Sequence, residues 1–330
     1  MLEPPPDLHA DQIAQALLER WDIEAAEVSY TPLGAGSHNW TATDVTGTKW
    51  FVKSNRAGGE TSFFNAAART AVSLNDVGLE FVHAAVTDKS GDPRPKVSPG
   101  WDLAVFSFIH GRNLDWTSGH ERALITETIG RLHASGVVPN GAPQWTPRWR
   151  QAELRQLLAD RLDEPWTKGP YGERAQSLVR SDVAGIRRLL DYSDRLVAEL
   201  LDDRQPWVMT HGEPTEGNSM LDIDGSAHLI DCDVMMVAPR ERDLWLLLYG
   251  GHRSPQEIDS TVLAAYHRTA GPVEPRRYVL AVFRAERHLA EISGCAQTFA
   301  GPHGDDSDCN EDWQCLQEHI PVGNLWPELG

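Results

Sequence analysis

Most of the residues that could do chemistry fall in one stretch. His211, Gly212 and Glu213 are followed by Asn218, five residues beyond the glutamate. An apolar, strand-like hairpin then delivers Asp231 and Asp233, and Asp243 lies twelve residues after Asp231. An acid, an amide and a second acid on short loops around a hairpin combine a proton acceptor with hard oxygen donors that suit Mg²⁺. Such a set fits phosphoryl transfer from a nucleotide, which depends on positioning and electrostatics more than on covalent steps.

A site of that kind also needs groups that hold phosphates, and the first third of the chain offers them. The segments VSYTPL, WTATDV and KWFVKS, rich in β-branched and aromatic residues, predict three strands. The first two are joined by Gly34-Ala35-Gly36-Ser37-His38-Asn39, where glycine lets backbone N–H groups approach an anion. Lys53 lies on the third strand, seventeen residues after Gly36, and alternation places it on one face with Phe51. A Gly-x-Gly turn alone is ordinary, and a strand lysine alone can guard a sheet edge. Together, at this spacing, they favour phosphate pairing. Residues 60–76 predict a helix stopped by Gly78, with Glu60 at its start; Glu60 is the one glutamate there that could pair with Lys53, and it equally suits a first-turn acid.

The remaining elements must position these groups. Residues 7–21 predict an amphipathic helix with Leu8, Ile13, Leu17 and Leu18 inward. After a hairpin through Asp88–Pro95, LAVFSFIHGRNL predicts a strand running into a hinge at Ile109-His110-Gly111. The helix ERALITETIGRLHAS follows, with Leu124, Ile129 and Leu132 as core and His133 as a packed histidine. Residues 148–168 and 173–204 predict helices of an insertion, 255–271 and 273–299 two more, and HGDDSDCNEDWQC an irregular acidic tail.

With 330 residues the chain can support two cored lobes, and 41% apolar with 24% charged residues is ordinary for a globular protein. No run approaches the ~18 apolar residues of a membrane span. The N-terminus MLEPPPDLHADQ lacks the basic and apolar regions of a signal peptide, so a cytoplasmic, membrane-free protein is expected. A net charge of −18 argues against a nucleic-acid partner and suits a cationic small molecule. Cys232, Cys295, Cys309 and Cys315 form no CxxC pair and are expected as free thiols, although His303 and His319 lie near the last two in sequence.

In this register the sequence resembles the aminoglycoside phosphotransferase family, which shares the protein kinase fold. The family's catalytic loop, His-Gly-Asp-x-x-x-x-Asn, corresponds to His211-Gly212-Glu213 and Asn218. Its metal motif, Ile-Asp-Trp-Asp/Glu, corresponds to Ile230-Asp231-Cys232-Asp233, and Ala-Pro-x-x-Arg-Asp-Leu is matched by Ala238 to Leu244. The likeness spans roughly residues 27–295 and is most specific over 210–245, where it looks closest to antibiotic kinases of the spectinomycin type.

The resemblance implies an α+β, two-lobed, protein-kinase-like fold with a small five-stranded antiparallel β N-lobe (1–107), a hinge (108–111) and a mainly helical C-lobe (112–330). It implies ATP, or else GTP, with Mg²⁺. Gly34, Gly36 and Ser37 would cover the triphosphate, Lys53 would bridge its oxygens, and Phe108 and Ile109 would flank the base. Asn218 and Asp231 would hold the metal, while His211, Asp243 and Glu60 would be structural supports. Glu213 stands where the family usually has Asp, with Pro214 directly after it. This allows either a remodelled active loop or a nucleotide-binding pseudokinase. Acceptor candidates are Glu216, Asp233, Glu286 and Glu291, with the tail acids Asp305, Asp306 and Asp308 and the aromatic Trp313. The acceptor would be a hydroxyl-rich or cationic antibiotic (aminoglycoside, nucleoside or macrolide type), or else a sugar or amino alcohol, acted on by a monomer or homodimer.

Overall fold

In the computed structural model α1 (Ala10–Trp21) opens with a reciprocal cap, in which the His9 N–H donates to Gln12 Oε1 at 2.8 Å. The structure describes residues 1–34, 36–58, 61–98, 100–147, 149–249 and 258–329. Ile13 and Leu17, four residues apart, are buried, whereas Leu18 is exposed. The expectation for Leu18 fails because it sits about 100° round the axis from Leu17.

The strands β1 (Ala25–Thr31), β2 (His38–Asp44), β3 (Lys49–Arg56), β4 (Lys96–Ser98) and β5 (Trp101–Ser107) form an antiparallel sheet in the order β1-β2-β3-β5-β4, with α2 (Thr61–Asp76) between β3 and β4 in sequence. Trp40, Ala42, Val52, Leu103 and Val105 cluster with Ile13 and Leu17 of α1. Because strand side chains alternate, Val52 fixes Lys53 on the opposite face, in register with Ala104.

After β6 (Gly111–Asn113) and α3 (Gly119–Ala134) come α4 (Trp149–Gln156), α5 (Gly172–Ser181) and α6 (Val183–Asp202). The short strands β7 (Val208–Thr210), β8 (Ser219–Asp222), β9 (Ala227–Leu229) and β10 (Met236–Ala238) follow, then α7 (Glu241–Leu248), α8 (Ser260–Ala270), α9 (Arg277–Ala300) and α10 (Ser307–His319). β8 lies between β6 and β9, and β7 pairs with β10.

The chain divides into two compact units. The first comprises Met1–Gln144, Trp207–Gly250 and Asp259–Val273, and holds the sheet, the short strands and α1–α3, α7 and α8. The second comprises Trp145–Pro206, Gly251–Ile258 and Glu274–Gly330, and is helical around a core that includes Trp166, Tyr171, Ile186, Phe299, Leu316 and Trp326.

Several helix boundaries differ from expectation for identifiable reasons. The helix expected over 148–168 ends in a π-helical turn at Leu157–Arg161. The one expected over 173–204 breaks at Asp182, whose carboxylate accepts the Val322 N–H at 2.6 Å. The helix expected from 273 starts at Arg277, since Pro275 disfavours helical backbone in the residue before it. The helix expected from 255 is described from Ser260, behind the Asp259 cap; residues 255–257 lie outside the described residues. The acidic tail is not irregular. It contains α10, capped by Asp306 accepting the Cys309 N–H at 2.8 Å, with Cys309, Trp313 and Leu316 at helical spacing against the core. Its acidic composition concealed that stripe. Among the described residues no helix is long and apolar enough to cross a membrane.

Candidate active site

The loop after β7 is built on hydrogen bonds to its backbone. Gly212 has φ +100°, and a Cβ there would come within 2.2 Å of the Arg242 guanidinium, so the position requires glycine. Arg242 donates to Thr210 Oγ1 (2.9 Å) and to the Val234 carbonyl (3.0 Å). Asp243, fully buried, accepts the N–H groups of His211 (2.8 Å) and Gly212 (2.5 Å) and the Nε2–H of His133 (3.0 Å). Burial works against its charge, but His133, Arg242 and His211 outweigh it and hold the carboxyl below the usual carboxylate range. Behind it, His133 Nδ1 meets the Tyr266 hydroxyl at 2.8 Å, and Arg240 donates to that hydroxyl at 3.4 Å.

His211 Nε2 lies 2.8 Å from the Ile230 carbonyl, and its Nδ1 accepts the Glu213 N–H at 3.3 Å. The neutral imidazole protonated on Nε2 satisfies both bonds. The Glu213 carbonyl accepts from Asn218 Nδ2 (3.0 Å) and from the Thr215 N–H (2.8 Å), closing the loop on itself. The Asn218 carbonyl accepts the Ile230 N–H at 3.0 Å, which ties the loop to the β8–β9 hairpin. With the Asn218 amide nitrogen spent, its Oδ1 has no protein partner among the described residues.

Just past β9, Asp231 takes up a left-handed backbone (φ 57°), which aspartate tolerates better than most residues. Lys53 Nζ lies 2.5 Å from Asp231 Oδ1 and 2.7 Å from Asp233 Oδ2, and Arg94 Nη1 stands 3.7 Å from that same Asp233 oxygen. Burial disfavours the Lys53 charge, yet the Asp233 and Asp231 carboxylates prevail and raise its pKa. Asp233 is lowered in turn: burial opposes its charge, and Lys53 and Arg94 outweigh that. Between the two acids, Cys232 is buried, and burial followed by the two carboxylates pushes its thiol far up, out of the reactive range.

Gly34 and Gly36 have φ +70° and +78°, while Ala35 between them lies outside the described residues. Ser37 is buried with its hydroxyl donating to Asn39 Oδ1 (3.2 Å), and Asn39 Nδ2 donates to the Leu33 carbonyl (2.6 Å), so both side chains hold the turn. Phe108 and Ile109 are partly buried between β5 and β6, and neither backbone group of Ile109 has a protein partner among the described residues. Glu60 lies outside the described residues. Glu216 is exposed in the single turn Glu216–Asn218. Glu286 and Glu291 are on α9 in the second unit: Glu286 accepts from Trp145 Nε1 (3.0 Å), and Glu291 pairs with Arg287 (2.6 Å). Of the tail candidates, Asp306 is engaged as a helix cap and Trp313 packs near Tyr171 and Phe299.

The donors near Asp231 are carboxylate and amide oxygens, which suit Mg²⁺, an ion that usually takes one or two protein carboxylates and completes its shell with water and phosphate. Among the described residues no group of three or more His, Cys, Asp or Glu could hold a metal ion, and all four cysteines are free thiols. Sequence reasoning missed two contributors here. Arg94, in a Pro-flanked hairpin, carried no motif signal. His133 gave only a helical core signal, because its partners Tyr266 and Asp243 are more than a hundred residues away in sequence.

Residues 29–290 match the family model described as the phosphotransferase enzyme family. Comparison with curated proteins finds no match. Solved structures share the fold. Spectinomycin phosphotransferase APH(9)-Ia, in complex with ADP and spectinomycin, aligns over 97% of each chain with a TM-score of 0.74 at 19% identity. Choline kinase LicA from Streptococcus pneumoniae aligns over 96% of this chain and 98% of its own, with a TM-score of 0.65 at 17% identity. Amicoumacin kinase hAmiN, in complex with AMP-PNP, Ca²⁺ and Ami, aligns over 96% of this chain and 95% of its own, with a TM-score of 0.60 at 14% identity.

Proposed function

This chain belongs to the phosphotransferase enzyme family, and from that premise we propose that it is a cytoplasmic kinase moving the γ-phosphoryl group of ATP to a hydroxyl of a small molecule, most simply an antibiotic. The observation that carries the reading is the meeting of Lys53 with Asp231 and Asp233, beside a loop in which Asn218 is tied to Glu213.

In this reading Asn218 Oδ1 and Asp231 would hold Mg²⁺, which when bound would supply charge to offset that of the phosphoryl oxygens. Lys53 binds phosphate oxygens, the Gly34–Ser37 turn covers them, and Phe108 with the open Ile109 backbone receives the base. Glu213 accepts the proton of the acceptor hydroxyl and aims its oxygen at phosphorus. Asp243 fixes the amides of His211 and Gly212, so the glutamate starts from a backbone that does not drift.

The antibiotic acceptor is supported by the motif register and by the fold shared with the spectinomycin and amicoumacin kinases. The fold shared with choline kinase supports a second reading, an amino-alcohol acceptor. Incubation with γ-labelled ATP, Mg²⁺ and a panel of spectinomycin, other aminoglycosides, nucleoside and macrolide antibiotics, choline and sugars decides between them. Label on an antibiotic, lost in Asp231→Ala, supports the first reading, and label on choline alone supports the second. Absence of transfer to any acceptor, with basal ATPase unchanged in Asp231→Ala, would sink both.

A further inference from the structure

Lys53 serves two carboxylates at once, at 2.5 and 2.7 Å. Nucleotide phosphates would compete for the same ammonium. Once Lys53 is drawn to them, Asp233 loses its close cation while its side chain stays only 19% exposed. A carboxylate that buried needs a replacement partner.

Arg94 is the group within reach. Its backbone is pinned, since its N–H donates to Asp92 Oδ1 (3.2 Å) and the next carbonyl, of Pro95, accepts the Leu103 N–H (3.0 Å). Its guanidinium is 3% exposed and lies over Phe64, 5.1 Å from the ring centre. The Nε is buried without an acceptor, and the sole ion-pair partner among the described residues is Asp233, too far at 3.7 Å for a hydrogen bond. A buried guanidinium with unspent donors is costly in the free protein, and its planar fork suits a carboxylate. It is also too enclosed to reach a ligand as it stands.

We propose that Arg94 is a positioning residue that takes over Asp233 when Lys53 turns to the nucleotide's phosphates, so that the lysine is released without stranding a buried acid. The proposal rests on the nucleotide-kinase reading above.

Calorimetric titration of Mg²⁺·ADP, with adenosine as the phosphate-free control, tests it on the full chain. Arg94→Met should weaken Mg²⁺·ADP binding about tenfold or more and leave adenosine binding unchanged, because Asp233 then retains Lys53. Arg94→Lys should stay within about threefold of wild type. Adding Asp233→Asn to Arg94→Met should restore the affinity, since no acid is left to strand. Unchanged Mg²⁺·ADP affinity in Arg94→Met, or a loss that Asp233→Asn does not relieve, overturns the proposal. If Arg94→Met does not fold, Arg94→Gln takes its place with the same pairing and the same criterion. A wild-type protein that binds neither ADP nor GDP instead overturns the nucleotide reading itself.

Discussion

Lys53 on β3 and Asp231 just past β9, 178 residues apart in sequence, meet through a 2.5 Å contact between Nζ and Oδ1. In the free protein the lysine therefore neutralises the acid proposed to hold the metal. On the proposed function, metal and nucleotide would gain from arriving together, because phosphates would draw off the lysine and leave the Asp231 carboxylate free for the metal.

Lys53→Met separates these two effects. Phosphoryl transfer should fall by at least ~10²-fold, as expected when a charge-stabilising group is removed from a transition state. Mg²⁺ binding without nucleotide should strengthen, because Asp231 no longer has a resident cation. Turnover assays and Mg²⁺ titration of the nucleotide-free protein check both parts, and Mg²⁺ affinity that does not rise would contradict the competition.

Asp243 makes a prediction about pH. Its folded pKa is lowered, below an unfolded value of about 3.9. Its stabilisation is therefore complete above pH ~4 and drains away as pH falls through the folded value. Asp243→Asn should cost roughly 2–4 kcal/mol near neutrality, because buried donors lose a charged acceptor. The gap in unfolding midpoint between wild type and variant should be widest at pH 5–7 and narrow below pH ~4. A gap that stays constant down to pH 3 would mean the carboxylate's charge is irrelevant.

The sequence announced the sheet and the acid–amide loop because alternating strands and short-range motifs are local signals. Val52 and Lys53 could be assigned to opposite faces by alternation alone. The acidic tail was illegible for the opposite reason: three apolar positions at 309, 313 and 316 were outweighed by the charges around them, although they form the buried stripe of α10. Nor could any local pattern show that Asp233 faces Lys53 and Arg94, or that His133 pairs with Asp243. Those contacts depend on where distant elements meet.

Glu213 replaces the shorter acid expected from the family pattern, and the loop is hydrogen-bonded around it through its own carbonyl, Thr215 and Asn218. A backbone held in this way sets the reach of the side chain. Glu213→Asp should therefore pull the carboxylate back by one methylene and lower kcat by about 10²-fold, in line with a misplacement of order 1 Å. Glu213→Gln should lose more, having no proton acceptor. Steady-state kinetics on the acceptor found by labelling provide the check, and a Glu213→Asp variant faster than wild type would favour the pseudokinase reading.

His133 links Asp243 to Tyr266 in a fully buried relay. Burial, resisted only in part by Arg240, pushes the Tyr266 phenol up to about 12, so it stays protonated at working pH and can donate to His133 Nδ1. The imidazole then donates from Nε2 to Asp243, the acid that accepts the His211 and Gly212 amides. Removing the ring in His133→Ala takes the acceptor from the Tyr266 hydroxyl and leaves Asp243 Oδ2 with the His211 N–H as its remaining donor of the two, at a cost of about 1–3 kcal/mol, which should appear as a lower Tm in thermal unfolding. If the relay also steadies the loop, kcat should fall several-fold while the nucleotide KM stays near wild type, because Lys53 and Asp231 are untouched. Tyr266→Phe should show a smaller version of both effects. A His133→Ala protein with a reduced Tm but unaltered kcat would restrict the relay to folding and remove it from catalysis.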